Sequence, residues 1–109
     1  MIKKVEKLML NKYTGGWLVG DFLPSLIRTK DVEVGVKKIT KGTVGDGHYH
    51  KLVTEYTIII SGKLVDKGVE YSEADIIILQ PYEKNFTRFI TDSIIISIKS
   101  RSVANDKYF

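Results

Sequence analysis

The sequence predicts one all-β domain, a sandwich or barrel, and three observations carry that expectation. Ile, Val and Thr fill 14, 10 and 8 of the 109 positions, whereas Ala stands only at Ala74 and Ala104. β-branched side chains pack well on a pleated surface and lose rotamer freedom in a helix, so this balance favours strands. Turn signals recur at short intervals, among them Gly15-Gly16, Pro24-Ser25, Gly45-Asp46-Gly47, Asp66-Lys67-Gly68 and Asp92-Ser93. They leave segments of about five to nine residues, the spacing of short strands joined by tight turns. Those segments either alternate in polarity or are apolar throughout, as strands of a barrel core are.

In chain order, residues 1–24 form an N-terminal covering segment, in which Val5 to Trp17 is expected to fold over the barrel. Val32-Glu33-Val34-Gly35-Val36 alternates with period two, as a half-buried strand does. Tyr56 to Ile60, Ile76 to Leu79 and Ile94 to Ile98 are apolar on both faces or nearly so. One face of each belongs to the core and the other needs a cover, and a second copy of the chain is the common solution, so a homodimer is expected. The last ten residues, 100–109, read as a tail that docks through Val103, Tyr108 and Phe109. No internal repeat, low-complexity tract or linker divides the chain, so residues 1–109 are one domain, long enough to bury roughly two thirds of the surface an unfolded chain exposes.

Composition narrows the function. Without cysteine the chain is no zinc finger, disulfide scaffold or thiol enzyme. The net charge of +4 comes from lysines spread among acidic residues, with no basic stripe interleaved with aromatics. A solvated surface is expected rather than a nucleic-acid partner, and the charge also suits a mild attraction for anionic small molecules. Met1-Ile2-Lys3-Lys4 starts like a secretory leader, but Glu6 and Lys7 interrupt the apolar stretch that should follow, and no apolar run reaches the roughly 18 residues of a membrane span. A cytoplasmic protein with no membrane partner is expected.

The two histidines carry the chemistry. Residues two apart on a strand share a face, so His48 and His50 present their rings side by side, and Glu55 enters the next strand after a short reversal. Glu55, Thr57 and Ile59 then share one face, and Tyr56, Ile58 and Ile60 the other. With the Glu55 face inward, two imidazoles and a carboxylate converge. Three readings follow: a divalent metal site with positions open for substrate, metal-free acid/base chemistry by histidines oriented by a carboxylate, or two surface histidines on an edge strand.

The wider spacing bears on that choice. Gly42, five residues, His48-x-His50, four residues, Glu55, six residues, Gly62 resembles the first signature motif of the cupin superfamily at all five set positions. The resemblance implies a single-domain cupin, a jelly-roll-type β-barrel with its site in the mouth, and a divalent ion such as Zn, Fe, Ni or Mn on His48, His50 and Glu55. The chain departs from the second cupin motif. Asp75, the strand Ile76 to Leu79 and Pro81 are kept, but the histidine that should follow is replaced at Asn85 or Phe86, and Asn85 stands as a weak oxygen ligand in its place. The run His48 to Lys51 is similar to that of cupin nucleotide-sugar ketoisomerases, whose paired histidines move protons without metal. The tail is similar to that of small single-domain cupins ending in Ser-Val-x-Asn-Asp-Lys-Tyr.

The resulting expectation is a metal-dependent enzyme acting on a small polar substrate, such as a sugar or nucleotide-sugar derivative, with His48, His50 and Glu55 as its catalytic and metal-binding residues. The alternatives are a non-catalytic small-molecule binding or sensing cupin, a metal-free isomerase or epimerase, and a structural protein with a vestigial site. Trp17, Phe86 and Phe89 are read as packing residues, Tyr49 and Tyr56 as pointing away from the site, Arg88 as solvated, and Gly42 and Gly62 as turn residues.

Overall fold

A computed structural model describes residues 7–109. Two single 3-10 turns, Leu10–Lys12 and Thr14–Gly16, lead into nine strands: β1 Trp17–Gly20, β2 Ile27–Arg28, β3 Glu33–Ile39, β4 Glu55–Ser61, β5 Leu64–Asp66, β6 Val69–Tyr71, β7 Ile76–Leu79, β8 Arg88–Phe89 and β9 Ser93–Lys99. They form a six-stranded sheet in the order β2-β1-β3-β9-β4-β7 and a three-stranded sheet in the order β6-β5-β8. The small sheet is widened by backbone bonds that secondary-structure boundaries do not show. Gly42 N donates to Phe89 O at 2.8 Å, Gly45 N to Thr87 O at 2.7 Å, Asn85 N to His48 O at 2.8 Å and Tyr82 N to His50 O at 2.7 Å. The segment 42–50 therefore runs antiparallel to 82–89 and belongs to the second layer. Among the described residues, no helix is long and apolar enough to cross a membrane.

The core between the layers is Ile59, Leu64, Ile77, Phe89 and Ile95, with Ile39 and Tyr71 packed against it. It fills only the closed end. Towards the open end the inward row of β3 reads Glu33, Gly35, Lys37 and Ile39, that of β9 reads Ser93, Ile95, Ser97 and Lys99, and that of β4 reads Glu55, Thr57 and Ile59. Lys99 pairs in register with both Glu33 and Glu55, and Glu55 with Leu79, so the last inward layer is acid, base, acid and then a buried leucine. β3 is half-buried as its period indicates, but its valines face out. Gly35 has a packing reason to be glycine: a Cβ there would come within 2.7 Å of the indole of Trp17, whose ring lies over it.

The outward rows of the same sheet are Val34, Ile98, Tyr56 and Ile78, then Val36, Ile96, Ile58 and Ile76. Ile76 and Ile78 are 56% and 48% exposed, and nothing in the described chain covers them. Of the N-terminal segment expected as a cover, Val5 lies outside the described residues; Leu8 and Met9 are exposed, and Trp17 turns into the barrel. Phe89 is buried in the core. Phe86 is a correction to the packing expectation, being 54% exposed and lying across Gly47, where a Cβ would approach its ring to 2.8 Å. Arg88 is exposed. Gly42 and Gly62 both hold positive φ, at 89° and 96°, which a side chain would strain.

Candidate metal centre

His48 and His50 flank Tyr49 on the extended 42–50 segment. On one side the segment is bonded to 82–85, and on the other Tyr49 exchanges two backbone bonds with Tyr108 of the tail, at 2.9 and 3.0 Å. The ring of Tyr49 stacks on Tyr82 and Tyr108, on the face opposite the histidines. The two imidazoles then point the same way, with centroids 5.1 Å apart and planes at 74°. Glu55, the first residue of β4, meets them from the other layer. One ligand atom each from His48, His50 and Glu55 lies within 4.8 Å of the others, and His50 and Glu55 are only 6% and 8% exposed.

The turn between the two elements is held by the tail. The Asp106 carboxylate accepts hydrogen bonds from the backbone N–H groups of Lys51 at 2.9 Å, Leu52 at 3.0 Å and Val53 at 3.2 Å. The carbonyl of the same residue accepts a hydrogen bond from Nδ1–H of His50. A carbonyl can only accept, so the proton of neutral His50 is on Nδ1 and the Nε2 lone pair is bare. Nε2 is buried with no hydrogen-bond partner, although Glu55 Oε2 is 3.3 Å away. His48 is fixed in the same way. Its Nδ1–H donates to Asp46 Oδ1 at 2.5 Å, and that bond, with a smaller one from the His48 backbone, holds the Asp46 carboxyl far below the usual carboxylate range.

Both histidines thus carry the outer contacts that metal-ligating imidazoles have, a carboxylate on one and a backbone carbonyl on the other, and both leave Nε2 free. Burial opposes ionisation of Glu55, but His50, Lys99 and Lys37 outweigh it and its pKa is lowered. His50 is raised, chiefly by Glu55, against the effect of its own burial. A proton or a divalent ion would each relieve the buried pair, and only one of them fits at a time. The residues fit a metal: three donors of imidazole and carboxylate type, poised with lone pairs inward. Asn85 lines the same cavity. Its Oδ1 accepts hydrogen bonds from both the N–H and the hydroxyl of Thr87, at 3.0 and 2.8 Å, which occupies both lone pairs.

The site opens on a cavity of about 250 Å³, walled on its polar side by Trp17, Lys37, Lys99 and Lys107, and this adjoins a second hollow of about 380 Å³ beneath the tail. Trp17 is therefore a cavity wall as well as a packing residue. The sequence pattern gives Asp106, Lys37 and Lys99 no place in the site and marks Asp46 only as a turn residue. Period two marked Lys37 as sharing a face with Glu33, which was the available signal. Asp106 stands in the Ser-Val-x-Asn-Asp-Lys-Tyr run of the tail, but nothing local ties it to the histidines.

Comparison with known proteins agrees at the level of the fold. No family model matches the chain, and no curated protein matches its sequence. Solved structures do. KdgF from Halomonas sp. matches with a TM-score of 0.62 at 20% identity, over 69% of this chain and 74% of that one. An RmlC-like cupin protein from Desulfovibrio desulfuricans matches at 0.59 and 11% identity, over 69% and 76%. The DMSP lyase DddQ from Ruegeria pomeroyi DSS-3 matches at 0.64 and 14% identity, over 82% of this chain but 46% of the longer enzyme. The chain is a single all-β domain with the cupin fold.

Proposed function

We propose that this cupin-fold protein is a metal-dependent enzyme that holds a divalent ion at His48, His50 and Glu55 and acts on a small polar substrate such as a sugar or nucleotide-sugar derivative. The observation that carries the reading is the buried Nε2 of His50, without a hydrogen-bond partner and aimed at Glu55 while Nδ1 is committed elsewhere. Imidazole and carboxylate donors suit Zn, Fe, Ni or Mn. A bound ion would supply Lewis-acid polarisation of a substrate oxygen. The chain's own contribution is to fix both imidazole tautomers through Asp46 and Asp106, to keep Glu55 ionised, and to exclude bulk water from the closed end with the Ile59, Leu64 and Ile95 core.

Metal analysis of purified protein after reconstitution tests this. One ion per chain is expected in the wild type, and none in His50→Ala or Glu55→Ala; an empty wild type would overturn the reading. A second reading rests on the 3.3 Å approach of His50 to Glu55 and the raised His50 pKa, which also suit a metal-free isomerase or epimerase moving a proton through Nε2. It requires turnover that survives chelation and is lost in Glu55→Gln.

The substrate-free surface suggests the partner. The outward rows of β3, β9, β4 and β7 are apolar across four strands about 4.8 Å apart, without a charge among Val34, Val36, Tyr56, Ile58, Ile76, Ile78, Ile96 and Ile98. A second copy packed sheet to sheet would cover both faces at once, so we infer a homodimer. Light scattering should give twice the chain mass at micromolar concentration.

A further inference from the structure

The lysines at the open end raise a question of charge that the metal trio alone does not answer. Lys99 Nζ lies 3.1 Å from Glu33 Oε2, and Lys107 Nζ lies 3.2 Å from Asp46 Oδ2. Lys37 projects from β3 into the same cavity, but among the described residues its ammonium has no ion pair and no hydrogen bond. It rests over the ring of Trp17, 4.3 Å from the centroid, while Lys99 lies 4.7 Å from that centroid. Burial lowers the Lys37 pKa; Glu55 opposes this, and Lys99 and Lys107 add to it. Glu33 answers Lys99, so of the two ammonium groups on the indole only that of Lys37 lacks an anion, and a half-buried ammonium gains when one joins it.

The balance of charge points the same way. Lys37, Lys99 and Lys107 face Glu55, Glu33 and Asp46, so the metal-free cavity is neutral with both histidines uncharged. A divalent ion on the trio would leave it two charges positive and would cancel the attraction of Glu55 for Lys37. The cavity at the trio, about 250 Å³, has the volume of roughly eight waters, and it adjoins the larger hollow beneath the tail.

Resting on the metal reading above, we propose that Lys37, backed by Trp17, is the specificity-determining residue of an anion subsite, and that the substrate is a small hydroxy acid whose carboxylate Lys37 binds while its remaining oxygens face His48, His50 and Glu55. A neutral sugar of the same size lacks the group that Lys37 requires.

Trp17 is the only tryptophan and reports on the subsite directly. Metal-free and metal-loaded protein are titrated with gluconate and with sorbitol, its uncharged counterpart, followed by Trp17 fluorescence and by calorimetry. Gluconate should saturate and sorbitol should not, with gluconate tighter on the loaded form. Lys37→Met should weaken gluconate about tenfold or more, the loss expected for a charge-assisted hydrogen bond, and Lys37→Arg should keep most of the affinity. The metal content and thermal midpoint of Lys37→Met separate a lost subsite from a lost metal or a lost fold. Equal binding of sorbitol and gluconate, or wild-type gluconate affinity in a folded Lys37→Met, overturns the proposal. Lys37-dependent gluconate binding by a wild type that takes no metal would uphold the subsite and overturn the metal reading instead.

Discussion

The two faces of the large sheet reverse the usual order of a barrel at its open end. Outside, Val34, Ile98, Tyr56 and Ile78 form an apolar row; inside, the neighbouring row is Glu33, Lys99 and Glu55, with Leu79 its one apolar member. At the closed end the order is conventional, with Ile59, Leu64 and Ile95 buried. Alternation shows that two faces differ, but it does not show which face has a partner. Most inward charges are answered: Lys99 sits between two carboxylates, Glu55 faces His50, and the Asp106 carboxylate is met by three N–H groups, with Lys37 the exception. The outward apolar rows have no such answer among the described residues, and the proposed second copy would supply it.

The largest effect is expected where an inward donor is removed. Glu55→Ala should lower metal affinity more than 100-fold, beyond the roughly 10–100-fold that loss of an outer contact costs, as read by competition with a chromophoric chelator. Asp106→Ala should fall within that outer range for metal. It should also lower stability by about 2 kcal/mol in a denaturant titration, because three N–H groups lose a charged acceptor.

A sharper comparison uses neighbours on β4. Ile59→Ala, inside, should cost about 3 kcal/mol, as large-to-small changes in a packed core do. Ile58→Lys, outside, should leave the monomer folded and shift light scattering to the single-chain mass. Similar unfolding by both variants would mean that the outer face is covered from within the chain.

The smallest effect is in pH. The folded pKa of His50 lies above the ordinary value near 6.5, chiefly through Glu55, and that of Glu55 lies below its ordinary 4.5, so in metal-free protein the pair contributes its full stability between about pH 4.5 and 6.5 and loses it as pH rises through the raised His50 value. The thermal midpoint of chelated wild type should therefore decline across that interval, and Glu55→Gln should flatten the decline. Metal affinity should move oppositely, rising as the proton leaves Nε2.

Much of this was legible in the residues. The spacing from Gly42 through His48, His50 and Glu55 to Gly62 states a local geometry, two rings on one side of an extended segment and a carboxylate at the start of the next strand, and the structure contains it. The same spacing could not show that Asn85 turns its oxygen to Thr87, since Asn85 and Thr87 are themselves only two apart and their bond competes with any ligand. Phe86 reads as core by its chemistry, yet it lies on the outside of a glycine turn.

By itself, the sequence determined the all-β class, the short strands and the grouping of His48, His50 and Glu55, because period and turn chemistry act over a few residues. Tertiary structure alone decided that Glu33, Lys37 and Lys99 face inward, and that Asp106, 56 positions from His50, sets that imidazole's tautomer. Such contacts depend on how the layers close and where the tail returns, and no short-range pattern carries that information.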